Sequence, residues 1–311
     1  MLMMPLSLCH SEVTSVMICS MQGPSRQTAI AQLIKALEDR RRPPLVMGVL
    51  NVTEDSFYDG SRVPSLEAAV ARGVEMVASG AEVLDVGGES TRPGAAPVPV
   101  DVEIGRVVPV VRELAARVSA AISVDTRRAQ VAEAALEAGA IMVNDVSAFT
   151  HDADMPSLLG RQKPLAIAMH MRGTPADMQS RTEYRCLTVE VLAELWDAVR
   201  PALDAGLPIE NLLLDPGIGF AKTWEQNLTL LCELDCLVRS GRPVVVGVSR
   251  KSFIGKVLDR PDPGGRLFGT AAAVAAAVLR GARVLRVHDV PEMRDVVLVA
   301  HAIATASWGG K

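Results

Sequence analysis

The amino-acid sequence predicts a single-domain (β/α)8 TIM barrel, an α/β fold, from three observations. Eight short apolar runs alternate with amphipathic helical patterns, and such alternation is typical of parallel sheets built from right-handed crossovers. The chain has 311 residues, enough for the ~250 that a barrel of this kind typically needs. An open doubly wound sheet would favour a Gly-rich dinucleotide-binding turn after the first apolar run, and this chain has none there. Eight such units therefore predict closure into a barrel.

The predicted elements follow one another in a regular order. A helix near Thr28 to Arg40 precedes the first strand. The strands are predicted at Leu45–Leu50, Glu82–Val86, Ala121–Val124, Ile141–Val143, Leu165–Met169, Asn211–Leu214, Val244–Val248 and Arg283–Val287. Apolar residues at helical spacing predict helices at Ser65–Ser79, Val102–Val118, Arg128–Ala138, Asp154–Gly160, Thr188–Ala205, Gln226–Val238, Leu267–Leu279 and Pro291–Ala304.

Two regions of unequal size are expected, with no linker between two folded domains. Residues 1–40 form an N-terminal extension, partly disordered with a short helix, and residues 41–311 form the catalytic barrel. The stretch from Met1 to Met21 lacks a basic segment, and His10 and Glu12 interrupt its apolar pattern. It is therefore a poor signal peptide, and Met21 is a rival start.

Composition restricts the partners and the compartment. The net charge is −4 without a block of Lys or Arg, so nucleic acid is not an expected partner. No apolar run reaches the ~18 residues of a membrane helix, so no membrane is expected either. The number of cysteines is odd and their spacing irregular, which predicts buried free thiols and a cytoplasmic location. They are Cys9, Cys19, Cys186, Cys232 and Cys236.

A polar or ionisable residue closes every predicted strand. Barrel enzymes build their active sites at these carboxyl ends. A single Asp here is often a helix cap or turn residue, and Asp145 and Asp289 suit such supporting roles. His170 is more typical of hydrogen-bonded structure. Caps do not explain the whole set, which comprises Asn51, Asp85, Asp125, Asn144, His170, Asp215, Lys251, Arg286 and His288.

The residue types suggest a heterocycle and a diphosphate. Carboxylates and an amide can hydrogen-bond a flat ring with N–H donors, and these are Asp125, Asp215 and Asn144, with Lys251 beside them. Two guanidiniums suit phosphate oxygens, so the predicted anion site is Thr91, Arg92, Arg286 and His288. Asn51 and Asp59 are oxygen ligands of the kind that Mg2+ accepts. The expected reaction is displacement of diphosphate.

Eight ordered motifs resemble those of the dihydropteroate synthase family. The resemblance covers residues from Leu45 to the C-terminus, and ordered motifs are more specific than a lone one. The longest two are Asn51 to Gly60 (NVTEDSFYDG) and Asp85 to Gly94 (DVGGESTRPG). The others are Ser123–Thr126, Asn144-Asp145, Met169–Met171, Leu214–Phe220, Ser249–Ser252 and Arg286–Asp289.

The resemblance implies an alkyl transferase of folate biosynthesis that joins (7,8-dihydropterin-6-yl)methyl diphosphate to 4-aminobenzoate in an SN1-like step with Mg2+. It implies catalytic roles for Asp125, Lys251, Arg286, Phe57 and Asp59. The implied pterin ligands are Asp85, Asp125, Asn144, Asp215 and Lys251. Diphosphate would contact Thr91, Arg92, Arg286 and His288; 4-aminobenzoate would contact Phe57, Phe220 and Ser252; Mg2+ would contact Asn51 and Asp59.

The first loop departs from the family pattern. Glu54 stands where the family usually has Pro, and Tyr58 where it has a small residue; Ile218 and Ala221 replace Phe and Gly. The two first-loop changes resemble sulfonamide-insensitive members. We therefore expect altered sulfonamide binding and an associated antibiotic-resistance phenotype.

Three alternatives remain open at this point. They are a pterin-binding corrinoid methyltransferase, a catalytically silent pterin-binding paralogue, and a generic phosphate-binding barrel enzyme. The anion-site residues argue against the first, and the retention of the metal and diphosphate residues argues against the second. The family resemblance also implies a homodimer formed through barrel helices, for which Ala271–Leu279 is apolar enough, although packing within the core explains this apolar stretch equally well.

Overall fold

The structure, a computed structural model, describes residues 25–52, 66–90 and 98–306. Within these ranges eight parallel strands alternate with helices. The strands are β1 (Leu45–Asn51), β2 (Val83–Gly87), β3 (Ala121–Asp125), β4 (Met142–Asp145), β5 (Leu165–Met169), β6 (Leu212–Asp215), β7 (Val245–Gly247) and β8 (Val284–Val287). The helices are α1 (Arg26–Glu38), α2 (Leu66–Ala78), α3 (Val100–Arg117), α4 (Ala129–Glu137), α5 (Met155–Gln162), α6 (Leu187–Asp204), α7 (Trp224–Cys232), α8 (Leu234–Val238), α9 (Ser252–Leu258), α10 (Leu267–Leu279) and α11 (Val290–Thr305).

The strands form one sheet that curls into a barrel. Their order is β6-β5-β4-β3-β2-β1-β8-β7, and all the pairs are parallel. The two ends of the sheet meet at a parallel bridge between Leu214 and Val244, where the Leu214 amide donates to the Pro243 carbonyl at 3.0 Å. This confirms the predicted (β/α)8 barrel.

The helix prediction differs from the structure in two places. The pattern over Gln226–Val238 predicted one helix, whereas the structure has α7 and α8 with a break at Glu233, where φ is −100° and ψ is 17°. The Glu233 carboxylate accepts a hydrogen bond from Thr188 on α6, so a contact between helices accompanies the break. The short helix α9, which begins directly after Lys251, was not predicted.

The alternation of side chains along each strand divides the core into two parts. Successive residues point to opposite faces of a strand. The outward set, which includes Val46 and Leu84, packs against the helices. The inward set at the amino ends of the strands packs with α1 in a second cluster. This cluster, here called the floor, comprises Ile30, Leu37, Leu45, Met47, Val83, Met142, Leu165, Ile167, Leu213, Val245 and Val284.

A buried arginine joins α1 to the floor. Arg283 precedes β8 and is 6% exposed. Its guanidinium donates to the carbonyls of Leu37 at 2.8 Å, Ala36 at 2.9 Å, Asp39 at 2.9 Å and Arg42 at 3.0 Å. These carbonyls end α1 and the turn after it, where helices leave acceptors without intrahelical partners. The arginine thus satisfies the end of the helix that covers the floor.

The inward positions at the carboxyl ends of the strands are polar. Asn51, Gly87, Asp125 and Asn144 pair in one row across β1 to β4. Asn51, Gly87 and Asn144 each lie an even number of residues beyond a floor residue of the same strand, and Asp125 lies four residues beyond Ala121, which packs against the floor. The two-residue period therefore places them all on the inward face. We call this end of the barrel the mouth.

The described cysteines correct one expectation. Cys186 and Cys232 are exposed and Cys236 is half-buried, so these thiols are free but not buried. Cys186 immediately precedes α6, Cys232 ends α7 and Cys236 lies within α8. Cys9 and Cys19 lie outside the described residues. Among the helices of the described ranges, none is both long and apolar enough to cross a bilayer.

Candidate active site

Arg286 is the centre of a charged cluster inside the mouth. Its Nε donates to Asp85 Oδ2 at 2.6 Å, and its Nη2 donates to Asp125 Oδ2 at 2.7 Å. Asn144 Nδ2 donates to the same Asp85 oxygen at 2.9 Å. The two aspartates precede Arg286 by 201 and 161 residues in the sequence, and the fold brings both to one guanidinium. Four of the predicted site residues are therefore in contact through three strands and β8.

This cluster retains hydrogen-bonding capacity that the described residues do not use. Asp85 is fully buried, yet its Oδ1 has no partner among the described residues, and neither does the Oγ of its neighbour Ser123. Burial raises the pKa of Asp125, and the charge of Arg286 opposes that rise. Buried polar atoms without partners are costly, and here they mark a place for a polar ligand.

Asp215 and Lys251 form the opposite side of the mouth. Asp215 accepts the Gly217 amide at 2.7 Å. Burial raises its pKa, and the charge of Lys251 is the largest influence in the other direction. Burial lowers the pKa of Lys251 to about 8, whereas the charge of Asp215 raises it. The Lys251 ammonium donates to the Ile218 carbonyl, which leaves further donors for a ligand.

The absence of side chains at two glycines keeps the mouth open. A β-carbon at Gly87 would lie 3.7 Å from Asp125 Oδ2 and 3.8 Å from Asn51 Oδ1. One at Gly247 would lie 3.8 Å from Arg286 Cβ and 4.0 Å from Lys251 Nζ. Site residues thus approach one another over bare backbone, where space remains for a ligand.

His288, Phe220 and Ser252, which the resemblance assigned to the substrates, follow the carboxyl ends of β8, β6 and β7. Ser249 Oγ lies 3.0 Å from His288 Nδ1 and accepts the His288 amide at 3.2 Å. Phe220 is half-buried, and its ring centroid lies 4.7 Å from Lys251 Nζ. Ser252 is exposed and begins α9. Phe57, Asp59, Thr91 and Arg92 lie outside the described residues.

Sequence reasoning missed an ion-pair cluster beside the second loop. Glu89 accepts Arg127 at 3.0 Å, Arg128 at 3.1 Å and the amide of Val98 at 3.2 Å. Burial alone would raise the pKa of Glu89, but the hydrogen bonds from Arg127 and Val98 outweigh it and lower the pKa. Glu89 thus ties together the chain on both sides of residues 91–97. The adjacent arginines Arg127 and Arg128, just after the end of β3, were the feature of the sequence that could have indicated this cluster.

A second missed residue is Arg250, whose backbone has a φ of 58°, a conformation unusual for a residue other than glycine. Thr270 accepts its amide at 3.0 Å, Arg266 donates to its carbonyl at 2.8 Å, and its side chain pairs with Asp289 through Nε at 2.9 Å. These contacts hold the turn between Ser249 and Lys251.

The residues assigned supporting roles behave largely as expected. Asp145 accepts the Ser147 amide at 2.7 Å within a turn. Asp289 occupies the N-cap position of α11 but makes no capping bond, because its carboxylate pairs with Arg250. His170 is buried and hydrogen-bonded to Glu194 and Lys222, which confirms its structural reading. Among the described residues, no group of three or more His, Cys, Asp or Glu could hold a metal ion.

Comparison with known proteins identifies the family. Residues 47–288 match the family model of pterin-binding enzymes. The chain is 45% identical over 269 residues to the dihydropteroate synthase of Synechocystis sp., covering 86% of this chain and 93% of that relative. The chain belongs to the dihydropteroate synthase family.

Solved structures of dihydropteroate synthases agree with this assignment. The Yersinia pestis enzyme with a sulfonamide drug complex superposes with a TM-score of 0.81 at 38% identity, covering 85% of this chain and 95% of that one. The Xanthomonas albilineans enzyme in complex with 7,8-dihydropteroate gives a TM-score of 0.78 at 38% identity, covering 86% and 96%. This chain is therefore a dihydropteroate synthase of folate biosynthesis, as its motifs implied.

Proposed function

We propose that this chain joins (7,8-dihydropterin-6-yl)methyl diphosphate to 4-aminobenzoate and releases diphosphate, using the mouth of the barrel as its active site. The observation that carries this proposal is the cluster of Arg286 with Asp85 and Asp125, in which Asp85 Oδ1 has no partner among the described residues and beside which Lys251 and Asp215 lie. A complex of the Xanthomonas albilineans relative with 7,8-dihydropteroate supports the product assignment.

The pterin ring occupies the deepest part of the mouth in this proposal. Its N–H and amino groups donate to Asp125 and Asp215, since carboxylates accept from paired donors. Asp85 accepts from the Asn144 amide nitrogen, which orients the Asn144 oxygen as an acceptor for the ring. Lys251 donates to a ring carbonyl or nitrogen. Burial of these groups strengthens their electrostatic contacts with the ligand.

The diphosphate lies nearer the rim, beside cationic groups. Arg286 Nη1 makes no hydrogen bond with the described residues, while Nε and Nη2 are held by Asp85 and Asp125. The guanidinium is therefore oriented in advance, with one nitrogen left for an anion. His288 adds a second group, with Ser249 beside its Nδ1. Thr91 and Arg92 complete the proposed set.

Mg2+ is assigned to Asn51 and Asp59. The amide oxygen of Asn51 and the carboxylate of Asp59 are hard oxygen ligands, and the bare backbone at Gly87 leaves space beside Asn51. Few protein ligands are needed, because Mg2+ usually keeps waters and binds substrate phosphates. When bound, the ion neutralises charge on the departing diphosphate.

The chemical step breaks one bond and forms another at the pterin methylene. The carbon–oxygen bond to diphosphate breaks first, and its electron pair leaves with the diphosphate. The amine nitrogen of 4-aminobenzoate then attacks the methylene cation and loses a proton to solvent. Phe220, Ser252 and Phe57 line the amine side. An aromatic amine is neutral at pH 7, so no general base is required; the demand is for electrostatic stabilisation.

The test is diphosphate release by the purified chain. We expect release that requires both 4-aminobenzoate and Mg2+, and that stops when the ion is removed with EDTA. Product should appear as 7,8-dihydropteroate in a one-to-one ratio with diphosphate. Release that does not depend on the amine would contradict the proposal.

Sulfonamide response tests the amine side separately. Glu54 and Tyr58 lie outside the described residues, and the proposal rests on their departure from the family pattern. We expect sulfamethoxazole to inhibit this enzyme more weakly than an ordinary family member assayed in parallel. Inhibition of equal strength would contradict the proposed altered rim.

A homodimer through α10 and α11 is the proposed assembly. Phe268 is 81% exposed, Val299 61% and Ile303 63%, and exposed apolar side chains on neighbouring helices are typical of an interface. Light scattering should give twice the chain mass, and Phe268→Glu should shift the measured mass toward that of the monomer.

The proposed location is the cytoplasm. The free cysteines of the described residues support a reducing compartment.

A further inference from the structure

The turn after β6 is held almost entirely by side chains. The carbonyls of four successive residues, Ile218, Gly219, Phe220 and Ala221, each accept a hydrogen bond from a side chain. The respective donors are Lys251, Gln179, Lys222 and Tyr184. The Gly219 amide donates to Asn227 at 2.6 Å. No strand or helix contains these residues, so their backbone depends on such donors.

The backbone of this turn is also confined sterically. Gly217 has a φ of 68°, and a β-carbon there would lie 1.9 Å from the His170 carbonyl oxygen. Ala221, which does carry a β-carbon, has a φ of 49°. The turn is therefore pressed against the end of β5 in a conformation that most residues avoid.

Lys222 is the most deeply placed donor to the turn. It is 3% exposed, and its ammonium donates to the Phe220 carbonyl at 2.9 Å. The same nitrogen lies 3.0 Å from His170 Nδ1. Burial lowers the pKa of Lys222 to about 7, with Asp215 and Glu194 acting to raise it and Lys251 and Arg172 to lower it.

A chain of hydrogen bonds fixes the partner of Lys222. Glu194 lies 3.0 Å from His170 Nε2, and its carboxylate also accepts Arg172 Nε at 3.0 Å. A carboxylate accepts, so we assign the proton of His170 to Nε2 and leave Nδ1 to accept from Lys222. His170 is thus held between the Glu194 carboxylate and the Lys222 ammonium, and it keeps that ammonium within reach of the Phe220 carbonyl.

We propose that Lys222 is a positioning residue for the amine substrate, because it fixes the Phe220 backbone and hence the aromatic wall of that subsite. The inference rests on the proposed function, which puts 4-aminobenzoate beside Phe220. Lys251 reaches the same ring from the pterin side. Two lysines therefore bracket Phe220, and only Lys251 faces the proposed pterin.

The test is a comparison of KM values in the Lys222→Met variant. Loss of the buried hydrogen bond to the Phe220 carbonyl should raise the KM for 4-aminobenzoate about tenfold. The KM for the pterin diphosphate and kcat should stay within about twofold, since Lys222 touches neither substrate. Lys222→Gln retains a donor for the Phe220 carbonyl and should recover most of the affinity for the amine.

The control is a buried polar residue outside the site. Thr188 is 4% exposed and donates to Glu233 between helices. Thr188→Val should lower the melting temperature without changing either KM. Equal rises in both KM values of Lys222→Met, or unchanged KM values with reduced melting temperature, would overturn the positioning role. If Lys222→Met does not fold, the amine KM of Lys222→Gln relative to wild type decides in the same way. Lack of amine-dependent turnover in the wild type would instead overturn the proposed function.

Discussion

The floor and the mouth of this barrel use buried arginine in opposite ways. At the floor, Arg283 donates to four backbone carbonyls that end α1 and the following turn. At the mouth, Arg286 lies three residues later in the chain and pairs with two carboxylates, while the neighbouring Asp85 Oδ1 and Ser123 Oγ have no partner in the described part of the chain. The first arrangement is complete within the protein, and the second leaves capacity for a ligand. Stability and binding are thus separated along one strand.

The largest expected effect comes from removing the cation of the mouth. Arg286→Met should lower kcat/KM by about a thousandfold, because electrostatic stabilisation of the departing diphosphate is lost. Steady-state diphosphate release measures this effect. Arg283→Met is the matched control at the floor and should keep kcat/KM within about twofold. Similar losses of activity in both variants would break the comparison between the two ends.

The second largest expected effect is on stability, and here the residue of interest is Arg283 at the floor. Arg283→Met should lower the free energy of unfolding by about 2–4 kcal/mol, since several buried carbonyls lose their donor. Urea denaturation followed by circular dichroism gives this value. The variant should keep its m-value if the barrel still unfolds as one unit. An unchanged midpoint would show that α1 contributes little to the stability of the floor.

The smallest effect is a pH dependence confined to the mouth side. Burial, the main cause, lowers the pKa of His170 to about 4. The unfolded chain takes up this proton below about pH 6.5, and the native protein only near pH 4, so His170 makes stability fall as pH decreases between these values. The contribution is on the order of 1–3 kcal/mol.

Comparing wild type with His170→Gln isolates this contribution. The difference in unfolding free energy, wild type minus variant, should decrease as pH falls from 6.5 to 4. It should level off near pH 7; above that pH Lys222, which contacts His170 Nδ1, titrates as well. The difference in unfolding free energy between wild type and Arg283→Met should not change between pH 6.5 and 4, since the Arg283 side chain donates to backbone carbonyls and not to a histidine. A flat difference for His170→Gln would rule out a buried neutral imidazole.

The sequence was most informative where local periodicity carries the information. Each strand was predicted within two residues at either end, because both faces of these strands are buried and each strand is therefore a short continuous apolar run. Position also predicted that Asn51, Asp85, Asp125 and Asn144 lie at one edge of a sheet. Asn51, Asp125 and Asn144 share a row with Gly87, and Asp85, two residues before Gly87, contacts Asn144 and Arg286. The division of the helix at Glu233 was missed, since a contact with Thr188 on another helix lies outside any local pattern.

Partners of the site residues were harder to predict. Arg286 resembled a diphosphate ligand by residue type, but its contacts with Asp85 and Asp125 depend on strands 201 and 161 residues away. Lys222 stands only two residues from Phe220, yet its contact with that carbonyl depends on the left-handed turn between them and on His170.

By itself, then, the sequence determined the barrel and the family, and it predicted the end of the barrel proposed for the chemistry, because apolar runs and motif order are local properties of the chain. Only the tertiary structure decided which side chains are satisfied within the protein and which remain for a ligand. Closing the barrel brings together residues from distant strands. Which of their polar groups form hydrogen bonds with each other then depends on interatomic distances that no sequence pattern contains. Arg283 and Arg286 illustrate this: they are three residues apart, and the fold gives them different tasks.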